Sequence, residues 1–281
     1  MTAAAHPVAP GWQARLELEY TYGDGRTVLT GRRHTGPLLV QKPFYPEGAY
    51  TCHSILIHPP GGIADGDHLT LCARVGTGAR ALITTPGAGK WYRSLGRPAC
   101  QRLEFAVADQ AILEWLPQET IIFDRAHAHM ASRIDLAAHA VYAGCEVICL
   151  GRQASGERYT QGSLRLETEI WRAGVRLWSE YGHVAGGHAL LDAPVGLAGA
   201  SVYATLVIAG REVPAEILEQ ARSVDVPTNV RSGITALPRL LLVRCLGQHS
   251  ETLRAYCLAL WTQLRPWYAG RVACAPRIWR T

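Results

Sequence analysis

The chain has 281 residues, 48% of them hydrophobic and 18% charged, with a formal net charge of +5. That is enough apolar material for a sizeable core. The densest basic stretch is Gly31-Arg32-Arg33-His34, so the sequence lacks the basic arm of a nucleic-acid binder. No stretch approaches the roughly 18 apolar residues of a spanning helix, and residues 1–10 lack the basic and apolar regions of a signal peptide. The expectation is a cytoplasmic chain whose eight cysteines are reduced and mostly buried.

From the N-terminus the pattern is strand after strand. Leu16, Leu18 and Tyr20 alternate with Arg15, Glu17 and Glu19, the signature of a half-buried strand. Short β-prone runs follow at residues 38–40, 54–57, 69–71 and 81–84. Gly36-Pro37, Pro59-Pro60-Gly61-Gly62, Gly76 with Gly78, and Pro86-Gly87 punctuate them. Leu103, Phe105 and Val107 alternate again, as do Leu164, Leu166, Thr168 and Ile170. Residues 141–150 are apolar on both faces, which predicts a central strand covered on both sides.

Two helices are predicted towards the C-terminus. Residues 214–222 carry Pro214 near the first turn, with Ile217, Leu218 and Ala221 on the apolar side. Residues 250–265 space Leu253, Tyr256, Cys257, Leu260, Trp261 and Leu264 at three and four residues. Ser250 suits the cap, Glu251 suits the positive end and Pro266 suits a stop. No repeat of fixed period is visible. The predicted fold class is mainly β: a single domain of many short strands over residues 11–281, with two helices in the C-terminal half. The first ten residues are expected to be disordered.

Several local patterns bear on chemistry. The loop His58-Pro59-Pro60-Gly61-Gly62-Ile63-Ala64-Asp65-Gly66-Asp67 gathers His58, Asp65 and Asp67, ligand types that suit hard or borderline metals. Asp residues in a Gly-rich turn equally hydrogen-bond their own backbone. The stretch from Thr84 to Lys90 fails as a phosphate loop. Thr84 stands where the first Gly belongs, and Trp91 follows Lys90 where Ser or Thr belongs. Lys90 and Arg93 therefore read as exposed contacts for a partner.

Glu114 and Glu119 flank a strand end at Pro117. Acid–base work needs a fixed separation that nothing here supplies, and Glu114 reads as a solvated face. His127 and His129 share one strand face. With His183 and His188 they offer imidazoles for nickel or zinc, or simply decorate a surface. Cys145 and Cys149 share a face as core thiols. Glu146 and Glu180 lie inside apolar strands, where a carboxylate is costly unless it is paired or faces a wet cavity.

Seven strings in consistent order carry a family likeness. They are Gly36-Pro37-Leu38 with Val40-Gln41-Lys42-Pro43-Phe44-Tyr45-Pro46-Glu47; Cys52-His53 with His58-Pro59-Pro60-Gly61-Gly62-Ile63; Gly66-Asp67; Pro86-Gly87-Ala88 with Lys90-Trp91-Tyr92-Arg93-Ser94; Leu113-Glu114-Trp115-Leu116-Pro117-Gln118-Glu119; Leu150-Gly151-Arg152 with Gly156-Glu157; and Pro276-Arg277-Ile278-Trp279. Together they resemble the UreD (UreH) family of urease accessory proteins over about residues 11–281.

The resemblance implies a β-rich accessory factor without catalysis of its own. It implies assembly with UreF, UreG and apo-urease subunits in a hetero-oligomer. It also implies delivery of Ni²⁺ to the urease active site through an internal channel, with the ion in transit and no tightly bound cofactor. Channel-facing acids belong to that picture. By position in the matching strings they are Asp67, Glu146 and Glu180, with His58 and Asp65 as further candidates. Isolated carboxylates suit an ion that must be released. Relatives vary where Gly89 stands, so a polar role at that position does not carry over.

Trp261, Leu264, Trp267 and Trp279 either contact UreF, as aromatic anchors do, or belong to a helix that merely covers the sheet. Two other function classes stay open. A nickel-storage protein calls for clustered His or Cys, and the His here are dispersed. A hydrolase using Asp67, Glu119 or His58 lacks a complete nucleophile or metal motif.

Overall fold

The computed structural model describes residues 11–280, so the expectation of a disordered N-terminus falls outside the described residues. The strands in chain order begin with β1 Gln13–Gly23, β2 Arg26–Thr35, β3 Leu39–Val40, β4 Cys52–Ile57, β5 His68–Val75 and β6 Arg80–Thr84. Next come β7 Gly89–Trp91, β8 Ala99–Val107, β9 Ile112–Trp115, β10 Thr120–Ile122, β11 His127–Leu136 and β12 Val141–Leu150. The last are β13 Ser163–Arg172, β14 Val175–Ala185, β15 Val202–Ala209, β16 Arg231–Leu237 and β17 Leu240–Gly247. Helix α1, Ala215–Arg222, lies between β15 and β16, and α2, Ser250–Ala269, follows β17.

Two sheets result. One has seven strands in the order β14-β13-β11-β8-β5-β1-β2. The other runs β16-β17-β15-β12-β9-β6-β4-β3, with β10 and β7 branching from β12. Between β4 and β13 the chain passes back and forth between the sheets. Each circuit adds a parallel strand to both: β5, β8, β11 and β13 on one side, β4, β6, β9 and β12 on the other. Parallel neighbours need a crossover, and here the opposite sheet supplies it. The arrangement is solenoid-like, with circuits of about 30 residues, inside the usual range for such coils. Antiparallel hairpins close the ends, β1 with β2, β13 with β14, and β17 with β15 and β16.

The predicted strands appear where alternation placed them. β12 is covered on both faces, as its continuous apolar run implied. Tyr142, Ile148 and Leu150 face the inter-sheet core. Val141, Ala143, Cys145, Val147 and Cys149 face a second core beneath α2. That second core takes Leu253, Tyr256, Cys257, Leu260, Trp261 and Leu264, the stripe read from helical spacing. The thiols of Cys145 and Cys149 are core groups, and all eight cysteines are free.

One boundary moves. Pro266 does not stop α2, which continues to Ala269 and ends at Gly270 in the left-handed region, its N–H bonded to the Pro266 carbonyl. A proline in the last turn removes only one helical hydrogen bond. Buried Arg265, Tyr268 and Ala269 hold that turn against the sheet. Among the described residues no helix is long and apolar enough to cross a membrane.

Candidate functional site: the polar end of the inter-sheet space

Strand register lays out the site. One inward-facing row of the seven-stranded sheet reads Leu16, Leu71, Leu103, Ser132, Thr168, Glu180, each residue paired with the next. Halfway along, the row turns from aliphatic to polar. In the ten-stranded sheet Glu146, Thr205 and Arg244 form a second polar row by the same register. Ser132, Thr168 and Glu180 of the first row and Glu146 and Thr205 of the second line a cavity of about 90 Å³, together with Tyr142, Gly144 and Tyr203, while Arg244 stands beyond its lining. A buried water needs about 10–15 Å³ of such space, so the cavity has room for several.

Gly144 makes this space possible. A Cβ there would lie 2.3 Å from the Tyr142 hydroxyl oxygen, so only glycine lets that phenol fold back over its own strand.

Glu146 is half-buried on β12 and accepts a hydrogen bond from Trp115 Nε1 at 3.2 Å. Burial raises its pKa, and the nearby Glu180 charge adds to the rise, while the Trp115 bond opposes both. Burial also raises the Tyr203 phenol, with Glu146 and Glu180 contributing. The Tyr203 hydroxyl is shielded and has no hydrogen-bond partner among the described residues. Glu180 on β14 accepts from Arg244 Nη2 at 2.7 Å, which ties the two sheets together at the outer end of the cavity. Arg244 also lies over the Trp178 ring, 5.8 Å from its centroid.

The lining is mixed: Ile148, Leu166, Trp178, Val207 and Leu242 make most of the wall, and set into it are two carboxylates, the Ser132, Thr168 and Thr205 hydroxyls, and two phenols. Such donors suit a hard or borderline cation. Among the described residues no three His, Cys, Asp or Glu side chains are gathered as a closed metal site.

Of the five residues expected to bear on metal, the cavity unites Glu146 and Glu180. The other three sit in the loop before β5, with β8, β11 and β13 between that strand and β14. There both aspartates accept hydrogen bonds from the surrounding loops. Asp67 is buried and accepts the backbone N–H groups of Trp12 and Ala64, each at 2.7 Å. Asp65 accepts from the Arg97 backbone N–H at 2.7 Å, the Arg97 Nε at 2.9 Å and the Ser94 hydroxyl. Burial works against its ionisation, but those bonds and the Arg97 charge hold it down to about 2. His58 is lowered by burial, partly offset by the Asp67 charge.

The remaining candidates are dispersed. Lys90 and Arg93 are exposed, and Arg93 borders an open cleft with Tyr92, Phe123, Arg125 and Arg152. Trp261 and Leu264 are fully buried, so in this conformation they present no surface to a partner. Trp267 and Trp279 are half-buried. Trp279 donates to the Thr84 hydroxyl at 2.8 Å and lies under Arg254. His127, His129 and His183 lie on the outer face of the seven-stranded sheet. His127 bonds Ser163 and His129 meets Glu167.

Sequence reasoning missed a buried ionic hub. Glu114 is not a solvated face: it is 1% exposed. It accepts from Trp261 Nε1 at 2.8 Å, Arg265 Nη2 at 2.9 Å and the Tyr268 hydroxyl. Arg265 also reaches Glu47 at 2.7 Å, and Glu47 meets His53 Nε2 at 2.7 Å. Burial opposes the Glu47 charge, but His53 and Arg265 bring its pKa down to about 2. The signal was present in the chain: Arg265 continues the apolar stripe of α2, and Glu114 sits between Leu113 and Trp115.

The chain was compared with known proteins. A family model described as UreD urease accessory protein matches residues 13–280. A protein of Azoarcus sp. (strain BH72) named urease accessory protein UreD is 50% identical over 279 residues, covering 99% of this chain and 97% of its own length. Proteins of the same name from Methylobacillus flagellatus and Dechloromonas aromatica are 47% and 48% identical. They cover 96% and 97% of this chain, and 95% and 96% of their own lengths.

Proposed function

This chain belongs to the UreD family of urease accessory proteins, and from that premise we propose that it serves urease maturation as a scaffold with a nickel route through its interior. In this reading it bridges apo-urease to UreF and UreG in a cytoplasmic complex, and Ni²⁺ is its cargo.

One observation carries the reading: two carboxylates from different sheets, Glu146 and Glu180, face one small cavity whose other oxygen donors are hydroxyls. A core built for stability alone has little use for such a row: Glu180 has Arg244 as its counter-charge, but Glu146 has only the Trp115 N–H, and a buried carboxylate without a counter-charge is costly. A cation crossing the space meets oxygen ligands that are numerous and weak. It is therefore held briefly and released. Ser132, Thr168 and Thr205 supply the neutral oxygens between the two acids. Asp67, His58 and Asp65 act in this account by fixing the loop before β5. Trp267 and Trp279, with Lys90 and Arg93, are the proposed partner contacts, while Trp261 and Leu264 support the helix from below.

The test is urease activation in cells carrying the urease operon, reading the nickel content of purified urease beside its activity. Deletion of this gene abolishes loading. The double substitution Glu146→Gln with Glu180→Gln leaves assembly with UreF intact but lowers nickel in urease severalfold. Normal loading by an assembled double variant removes the cavity from the route and leaves a scaffold only.

A further inference from the structure

The cavity's outer end is held by one ion pair, and its make-up is unusual for a structural clamp. Arg244 and Glu180 meet at 2.7 Å, yet their side chains are 52% and 35% exposed. Such a pair is cheap to open, because water screens both partners. Arg244 also has somewhere to go. Its neighbour on edge strand β16 is Gly233, and a Cβ built there would meet nothing within 4 Å. The guanidinium can swing over that empty position without displacing a side chain.

We propose that Arg244 is the charge gate of the cavity and selects divalent over monovalent cations; this rests on the reading of the cavity as a cation route. Glu180 is already neutralised by a charge-assisted hydrogen bond. A monovalent ion brings the carboxylate no more charge than the guanidinium it must evict. A divalent ion brings twice the charge to the same oxygens, so its attraction at a given distance is double. It takes Glu180, and the freed guanidinium, repelled by the ion, retreats across Gly233. As the ion moves inward to Glu146, Arg244 returns to Glu180 and closes the way back. The same residue thus keeps abundant monovalent ions out, while the direction of passage is set by where the ion is consumed.

Equilibrium dialysis of Ni²⁺ against the full-length chain tests this, at one ionic strength made up with either choline or sodium chloride. Arg244→Gln binds Ni²⁺ about tenfold more tightly in choline than the parent does, and sodium erodes that gain. In the parent, exchanging choline for sodium changes nothing. Arg244→Lys, which keeps the charge and the fold, falls between them. The proposal is overturned if Arg244→Gln binds Ni²⁺ no better than the parent, or if its binding ignores sodium. The Glu146→Gln, Glu180→Gln variant separates the two readings and corrects for Ni²⁺ held by surface histidines. If it binds as the parent does, the cavity itself is no cation site. If it loses binding while Arg244→Gln is neutral, only the gate fails.

Discussion

The two halves of the inter-sheet space share one backbone and differ in what fills it. Beneath β1, β5 and β8 the row is Leu16, Leu71 and Leu103, all within a few per cent of full burial. Beneath β11, β13 and β14 the same row is Ser132, Thr168 and Glu180, none of it fully buried. Each leucine in the dry half gains about 1.5–3 kcal/mol from leaving water. The wet half forgoes that gain over three strands, and the solenoid tolerates it because the neighbouring circuits hydrogen-bond the backbone regardless. Sheet register therefore fixes where a side chain points, while composition along a row decides whether the space is filled core or a cavity with polar groups in its wall.

The largest expected effect lies outside both halves, at the hub that braces the dry one. Arg265→Met strands Glu47 and Glu114 in an apolar setting and costs about 3–5 kcal/mol by denaturant unfolding. It also alters the acid response. Glu47 has a folded pKa of about 2, below its unfolded value. Its contribution is present above the unfolded pKa and is lost as pH falls through about 2. Parent stability therefore declines on acidification over that window, and Arg265→Met shows a shallower decline.

The comparison itself is sharpened by a matched pair. Leu103→Ala in the dry half costs about 2–5 kcal/mol. Thr168→Val, two strands along the same row, removes only a hydroxyl and changes stability by about 1 kcal/mol while lowering urease nickel content. Equal unfolding costs for the two would erase the distinction between the halves.

The smallest effect concerns Glu146, whose folded pKa is raised by burial. The folded state then holds a proton that the unfolded state gives up. Stability falls as pH rises from the unfolded pKa towards the raised one. Glu146→Gln flattens that slope and leaves stability near pH 4 unchanged, which unfolding midpoints across pH will show.

Much of this was legible in the sequence, and what was not has physical reasons. Alternation at Leu16, Leu18 and Tyr20 and the double-faced run of β12 declare themselves locally. Glu146 and Glu180 were marked as anomalies because a carboxylate in an apolar strand is conspicuous. Their convergence was not legible, since they stand on different sheets and only the coil brings them face to face. The solenoid left no fixed period because its circuits are joined by loops of unequal length. The backbone N–H groups that bond Asp67 come from Trp12 and Ala64, and the Trp12 contact, 55 residues away in sequence, leaves no local mark. Glu114 was misplaced because its partner cation lies 151 residues downstream.

That separation has a consequence for synthesis. Glu47 and Glu114 emerge from the ribosome with the early coils, while Arg265 follows Glu47 by 218 residues and Glu114 by 151. Until then the nascent protein carries two carboxylates with no guanidinium to neutralise them, and the face that α2 covers is bare. Final closure therefore waits for α2, and a chain truncated before α2 keeps its earliest coil unlatched.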